Sequence, residues 1–399
     1  MQLVRVSSGS PVTLRLARDL VRTLKRGNPW VFADALRARP DAPPGTQAVL
    51  LDNKRGRAVA RGFYDPTSPL AFRACDVENG VMLDDAWAEQ RFENAWVLRR
   101  SLFSPGTTGF RLFNGEGDGV PGLVVDVFGH TAVLKLDGPG ARGFWNAEGI
   151  AEWLAVKLSL RCVVERFRDR EESARTVFGT QPEGPVPFLE HGLRFTADVL
   201  HGQKTGFFLD QRDNRSLVRT LAAEKAVLDL FGYTGGFSVA AGCGGAKHVT
   251  TVDSASPALE AALEHWRLNG LAAERLRIVE GDAFEFLNQA ARDQERWDLV
   301  IIDPPSMAPS QAALLKALAA YQSLVAGGAA VTASQGILAM ASCSSHVDQN
   351  SFLKVCEEGV SQARRRATLL HLGGLPPDHP TPLALSEFRY LKFAVLRIA

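Results

Sequence analysis

From residue 193 onward, short apolar runs alternate with stretches whose apolar positions recur every three or four residues. That alternation predicts strands at 226–231, 248–253, 277–279, 299–303 and 329–334, with helices at 237–241, 257–269, 283–292, 311–325 and 349–363. Two more strands, 367–372 and 391–398, close the chain as a hairpin. Five strand–helix units and a hairpin make a doubly wound, Rossmann-like α/β sheet with one antiparallel strand.

Upstream the period changes. Residues 1–75 read as strands at 12–16, 47–51, 58–63 and 70–73, broken by turns and by a basic helix at 19–26. This is the pattern of a compact β-rich domain. A helix at 82–102, strands at 110–114, 123–128, 131–136 and 162–166, and an amphipathic helix at 146–157 make a small α+β domain over 76–190. Proline and glycine crowd 182–187, the expected boundary before a third domain at 191–399.

The polar residues of the third domain fall where strands end. The first strand breaks into Phe231-Gly232-Tyr233-Thr234-Gly235-Gly236, a turn at which bare backbone and a helix N-terminus can meet a ligand. Asp253 closes the second strand, where a carboxylate can accept both hydroxyls of a ribose. Asp282 follows the third and can meet an adenine amino group. The turn lacks the GxGxxG spacing that seats a pyrophosphate, which favours S-adenosylmethionine over a nicotinamide dinucleotide. Phe231, Tyr233, Thr234, Gly235, Asp253, Asp282 and Asp303 are therefore cofactor-binding candidates.

The reaction is carried by two further segments. In Asp303-Pro304-Pro305-Ser306 the prolines make a stiff ledge and hold Asp303 in an extended geometry that aims its carboxylate at a base edge. That ledge is shared by enzymes methylating exocyclic amines and by those methylating ring carbon, so it does not choose between them. Cys343, in Ser342-Cys343-Ser344, points to ring carbon. Cytosine carbon 5 becomes nucleophilic only after a thiolate adds to carbon 6, and Asp303 can share a proton with nitrogen 3 as charge builds. The other four cysteines read as structural. The stretch Lys204–Arg215 precedes the first strand: Lys204 and Arg215 are candidates for RNA phosphate, Gln211 and Arg212 for the cofactor, and Pro305 for contact with the RNA.

Composition narrows the partners. The net charge of +1 hides thirteen basic against five acidic residues in 1–75, with the remainder net acidic. A basic module of this kind suits a polyanion, and Lys25 and Arg26 in its helix are RNA-binding candidates. Five scattered cysteines with no CxxC, and no HExxH, argue against disulfides and against a metal, and fit a reducing cytoplasm. No apolar run of membrane-spanning length is expected, nor a signal peptide.

Taken together, Lys204–Arg215, the turn after Asp229, Asp303–Ser306, Ser342–His346 and Tyr390-Leu391-Lys392 resemble the large-subunit ribosomal RNA cytosine carbon-5 methyltransferases with an N-terminal PUA domain. Asn28-Pro29-Trp30-Val31-Phe32 resembles the PUA segment, and 111–126 the central domain. The resemblance implies S-adenosylmethionine as cofactor, large-subunit rRNA as substrate, Cys343 as the catalytic cysteine, Asp303 as the motif acid, and a homodimer. Ser306-Met307 stands where other RNA cytosine methyltransferases carry a second cysteine, which argues against a two-cysteine release.

Overall fold

A computed structural model of the chain describes residues 1–5, 10–77, 80–167, 174–308 and 310–399. The chain divides into two compact units. The first takes Met1–Glu190, Thr196–Leu209 and Pro377–Ser386; the second takes His191–Phe195, Asp210–Pro376 and Glu387–Ala399.

In the first unit, β1 (Val12–Arg15), β2 (Trp30–Val31), β3 (Thr46–Leu51), β4 (Ala58–Tyr64) and β5 (Phe72–Asp76) form a sheet in the order β1-β3-β4-β5-β2, with α1 (Val21–Lys25) after β1. Alternation along the strands buries Leu14, Leu50 and Phe72 together with Leu24 of α1. The β3–β4 turn is set by Asp52, whose Oδ1 accepts from the N–H groups of Lys54 (2.8 Å) and Arg55 (2.5 Å).

A second sheet runs in sequence order through β6 (Gly109–Asn114), β7 (Leu123–Phe128), β8 (Thr131–Leu136), β9 (Cys162–Arg166) and β10 (Ala174–Gly179). Only the β8–β9 step is parallel among these described strands, and α3 (Gly138–Phe144) and α4 (Ala147–Leu158) supply the crossover it requires. Helix α2 (Asp85–Leu102) begins where the Asp84 carboxylate accepts from the Trp87 N–H. Its Trp87 and Phe92 pack on Trp145 at ring separations of 5.9 and 5.8 Å, at the centre of an aromatic core.

A late segment completes this unit. Arg99 is fully buried and donates to both carboxylate oxygens of Asp118 (2.5 and 2.8 Å) and to the Asp378 carbonyl (2.8 Å). Asp378 in turn accepts from the Arg111 N–H (2.9 Å), and Asn114 Nδ2 donates to the Pro380 carbonyl (2.9 Å). Gly117 is required here, since a Cβ on it would fall 1.8 Å from the Pro380 oxygen.

β11 (Val186–Glu190) and β12 (Leu193–Ala197) form a two-stranded hairpin. The second unit is then built on β13 (Ala226–Leu230), β14 (His248–Asp253), β15 (Leu276–Glu280), β16 (Trp297–Ile302), β17 (Thr332–Ser342), β18 (Ala367–Gly373) and β19 (Lys392–Ile398). Their order is β15-β14-β13-β16-β17-β19-β18. β13 to β17 are parallel and β19 runs against both its neighbours, the expected Rossmann-like sheet. The helices are α5 (Arg212–Leu221), α6 (Gly236–Cys243), α7 (Ser256–Leu268), α8 (Ala283–Arg292), α9 (Leu314–Val331) and α10 (Gln349–Gln362). Strand order reverses between β13 and β16, which is where an open α/β sheet binds its ligand.

One strand lies elsewhere than the sequence pattern placed it. The fifth parallel strand is Thr332–Ser342, not 329–334, because α9 continues through Gly327 and Gly328 to Val331. Glycine there serves close packing, not termination: a Cβ on Gly328 would come within 2.6 Å of Ile302 Cδ1. The 3₁₀ turn and helix over Gln311–Val331 are also long and apolar enough to meet the membrane-span criterion, contrary to the expectation from sequence. Tyr321, Leu324, Val325 and Val331 of this helix are buried in the core that covers the sheet.

The Arg99–Asp118 pair generates a test. Arg99→Ala leaves a buried carboxylate without its counter-ion, a change that costs about 3–5 kcal/mol. Hydrogen exchange followed by mass spectrometry should show Pro377–Ser386 losing protection before the second unit's strands do. Unchanged protection of that segment would contradict the assignment.

Candidate active site

Strand β13 is apolar except for Asp229, which is wholly buried. Its Oδ2 accepts from Ser238 Oγ (2.6 Å), and Ser238 Oγ also lies 2.6 Å from Thr251 Oγ1. Oδ1 has no hydrogen-bond partner. Burial pushes this carboxyl up to about 7, and the charges of Asp303 and Asp253 push the same way against the Ser238 hydrogen bond. An orphaned, buried acceptor beneath a ligand turn is a place for a cation or donor from outside.

The turn above it is left-handed at three points: Phe231 (φ 60°), Tyr233 (φ 47°) and Gly235 (φ 76°). Gly235 has a second constraint, because a Cβ there would stand 2.8 Å from the Cβ of Ala262 on α7. Asp253 braces the turn: Oδ2 accepts from the Tyr233 N–H and Oδ1 from the Ala255 N–H, both at 2.9 Å. A carboxylate oxygen has two acceptor sites, so each can still receive a hydroxyl. Thr234 contributes its carbonyl to His265 Nδ1 (2.8 Å). Asp282 is exposed and caps α8, its Oδ1 accepting from the N–H groups of Phe284 and Glu285. The residues of this unit fit S-adenosylmethionine, which offers an ammonium, a ribose and an adenine but no diphosphate.

Beside the turn, Asp303 follows β16 and is half-buried. Its Oδ1 accepts from Gln211 Nε2 at 2.8 Å, and Gln211 Oε1 accepts from Asn214 Nδ2 at 2.5 Å. Gln211 thus orients the acid. Cys343 follows the neighbouring strand β17 and is also half-buried, with Sγ 3.9 Å from the Pro304 carbonyl oxygen. The thiol thus lies beside the proline ledge. Pro305 is exposed next to it. The flanking serines are not part of an open polar setting. Ser342 and Ser344 are fully buried, and Ser344 Oγ sits 2.8 Å from Tyr321 Oη and accepts from the Ala308 N–H. They build the turn that presents the sulfur. Among the remaining cysteines, Cys75, Cys162 and Cys356 are buried and Cys243 is half-buried.

The basic candidates separate. Lys25 and Arg26 are exposed on the first unit, and so is Lys204, whose Nζ stands 4.3 Å from the Phe208 ring centroid. Arg215 is 3% exposed and Arg212 is fully buried. The assignment of Arg215 to RNA phosphate is therefore corrected: its guanidinium lies inside the second unit because α5 turns that face inward. Arg212 has the Asp213 carboxylate 3.7 Å from its Nε.

Three residues that the pattern reading passed over stand at the centre. Asp229 is a charge inside an otherwise apolar strand and Lys392 opens the apolar run 393–396, the signal that marks them. Lys392 is buried, donates to the carbonyls of Ser344 (2.6 Å) and Tyr390 (2.8 Å), and is pushed down to about 8 by burial. Tyr321 lies on a long apolar helix and carries no such signal.

Comparison with known proteins agrees with this geometry. Residues 146–339 match the S-adenosylmethionine-dependent methyltransferase family model, and residues 14–75 match that of a PUA-like domain. A ribosomal RNA large subunit methyltransferase of Deinococcus radiodurans is 37% identical over 98% of this chain and 98% of its own length. Ribosomal RNA large subunit methyltransferase I of Aeromonas salmonicida is 32% identical over 97% and 99%. Among solved structures, a chain assigned as an S-adenosylmethionine-dependent methyltransferase from Streptococcus mutans covers 97% of this chain and 100% of its own, with a TM-score of 0.83. At 24% identity that likeness is one of fold. The chain belongs to the PUA-containing, S-adenosylmethionine-dependent ribosomal RNA large subunit methyltransferases.

Proposed function

We propose that this enzyme methylates carbon 5 of a cytosine in large-subunit ribosomal RNA through a covalent adduct to Cys343. The observation that carries the reading is the half-buried thiol facing the Pro304 carbonyl, one residue from the Asp303 carboxylate. The Cys343 thiolate adds to carbon 6, and Asp303 shares a proton with ring nitrogen 3, so that electron density collects at carbon 5. S-adenosylmethionine, when bound, supplies the methyl group. Loss of the carbon 5 proton then lets the C–S bond break and returns the thiolate.

On the same reading, Gln211, Arg212, Phe231, Tyr233, Thr234, Gly235, Asp253, Asp282 and Asp303 hold the cofactor. The orphaned Asp229 oxygen and the braced turn support this assignment. Lys25, Arg26 and Lys204 meet RNA phosphate and Pro305 the base, supported by their exposure and by the basic excess in 1–75. A cytoplasmic homodimer, with domains at 1–75, 76–190 and 191–399, is the organisation the family resemblance supports.

Replacing Cys343 by Ala should abolish methyl transfer to unmodified large-subunit rRNA, and 5-fluorocytosine-containing RNA should trap wild type covalently. Methylation surviving in C343A would transfer the assignment to an exocyclic amine or ring nitrogen. The double change Lys25→Ala and Arg26→Ala should weaken RNA binding. It should also make the dependence of log K on log salt shallower, by about 1 for each phosphate no longer neutralised. An unaltered slope would place the RNA elsewhere.

Asp229 makes stability depend on pH. Its folded value near 7 exceeds the unfolded value of 3.8, so the folded state holds the proton more tightly. The contribution is full below the unfolded value and is lost as pH rises through about 7. At about 1.4 kcal/mol per unit it amounts to a few kcal/mol. Asp229→Asn should therefore gain stability relative to wild type between pH 5 and pH 8 in thermal melts. Parallel curves would contradict the buried, protonated state.

A further inference from the structure

Lys392 opens β19 directly opposite Ser342, the residue before the proposed nucleophile. The strand is otherwise apolar where it is buried, with Phe393, Ala394 and Val395 inside. Lysine is almost never buried without a charged partner, yet this one is 4% exposed. Its Nζ donates to the Ser344 carbonyl at 2.6 Å and to the Tyr390 carbonyl at 2.8 Å. These carbonyl oxygens take two of its three hydrogens but do not balance its charge. The anionic groups that act on it are Cys343, if ionised, and Asp348. Asp348 is exposed and already caps α10 by accepting from the Ser351 N–H at 2.7 Å.

The turn between Ser342 and Ser344 is held from two sides. Tyr321 of α9 fixes the Ser344 hydroxyl, and Lys392 fixes the Ser344 carbonyl. The titratable groups around the thiol are Lys392 on β19, Tyr321 on α9, Asp348 at the start of α10, His346 in the same loop, and Asp303 beside the carbonyl that the sulfur faces. Of these, Lys392 is the group that is both cationic near neutral pH and tied to the backbone next to the sulfur.

We infer that Lys392 is a positioning residue for Cys343, holding the turn that carries the sulfur and favouring the thiolate with a fixed ammonium charge. The inference rests on the proposed role of Cys343. The thiol proton leaves to solvent before RNA binds, and the ammonium keeps all three of its own. A low-dielectric setting strengthens this attraction, and a thiolate beside a lysine is a better nucleophile near neutrality than an unassisted thiol.

The test is the pH profile of iodoacetamide alkylation at Cys343, followed by mass spectrometry of its peptide, in the full chain. Lys392→Gln keeps amide hydrogens for the two carbonyls but removes the charge. Its alkylation midpoint should rise by about one unit, with alkylation about tenfold slower at pH 7. Lys392→Arg should restore most of the wild-type profile. If the glutamine variant does not fold, Lys392→Arg decides the matter: its guanidinium stays charged through the whole profile, so the midpoint should stay at or below that of wild type. Superimposed profiles in folded Lys392→Gln and wild type, or an upward shift in Lys392→Arg, overturn the inference. Methyl transfer persisting in C343A would overturn the cysteine mechanism instead, while the alkylation profiles still report what Lys392 does to the thiol.

Discussion

The pairing of β16 with β17 sets Ile302, one residue before Asp303, opposite Met340, three before Cys343, so the two parallel strands end at the same edge of the sheet. Asp303 leaves one strand and Cys343 the other, and neither can be moved alone. A slip of one residue would turn Cys343 to the opposite face and bury it against a helix layer. The register is enforced by Val300, Ile302, Leu338 and Met340, all wholly buried, and by the close approach of α9 that Gly328 permits. Core packing is thus what brings the ends of these two strands to one edge of the sheet, their following residues forty apart in the chain.

Around that edge the protein buries several charged side chains. Asp229, Arg212, Arg215 and Lys392 are all inside the second unit. Burying an ionisable group is unfavourable unless it is paired, and replacement by packed hydrophobics is often stabilising. Concentrating such groups beside a ligand turn is the pattern of a site whose electrostatics are arranged for a reaction and not for the fold. In the first unit Arg99 meets Asp118 and Arg111 meets Asp126, each guanidinium fork facing a carboxylate.

Much of this was legible in residue order. The alternating pattern located the parallel strands, the turn after Asp229 and the ledge at Pro304-Pro305, because each is written locally in apolar period or in glycine and proline chemistry. The fifth strand was misplaced because Ala329, Ala330 and Val331 suit either state, and the neighbour that makes Gly328 a packing residue comes from another strand. Arg215 was misread for a related reason: burial of a cation depends on partners distant in sequence. Tyr321 gave no signal at all, while Asp229 and Lys392 stood out as charges in buried strands. Family resemblance supplied the identity of the cofactor and nucleic acid, which periodicity does not encode.

The excursion of residues 377–386 into the first unit has a bearing on biosynthesis. A chain emerging from the ribosome at about 5–20 residues per second folds its early domains first. Here Arg99, Arg111 and Asn114 wait for partners at Asp378 and Pro380, which are made much later. The hydrogen-bond set of the first unit is therefore completed only when this late segment has been made. A truncated translation product would leave that unit without these contacts.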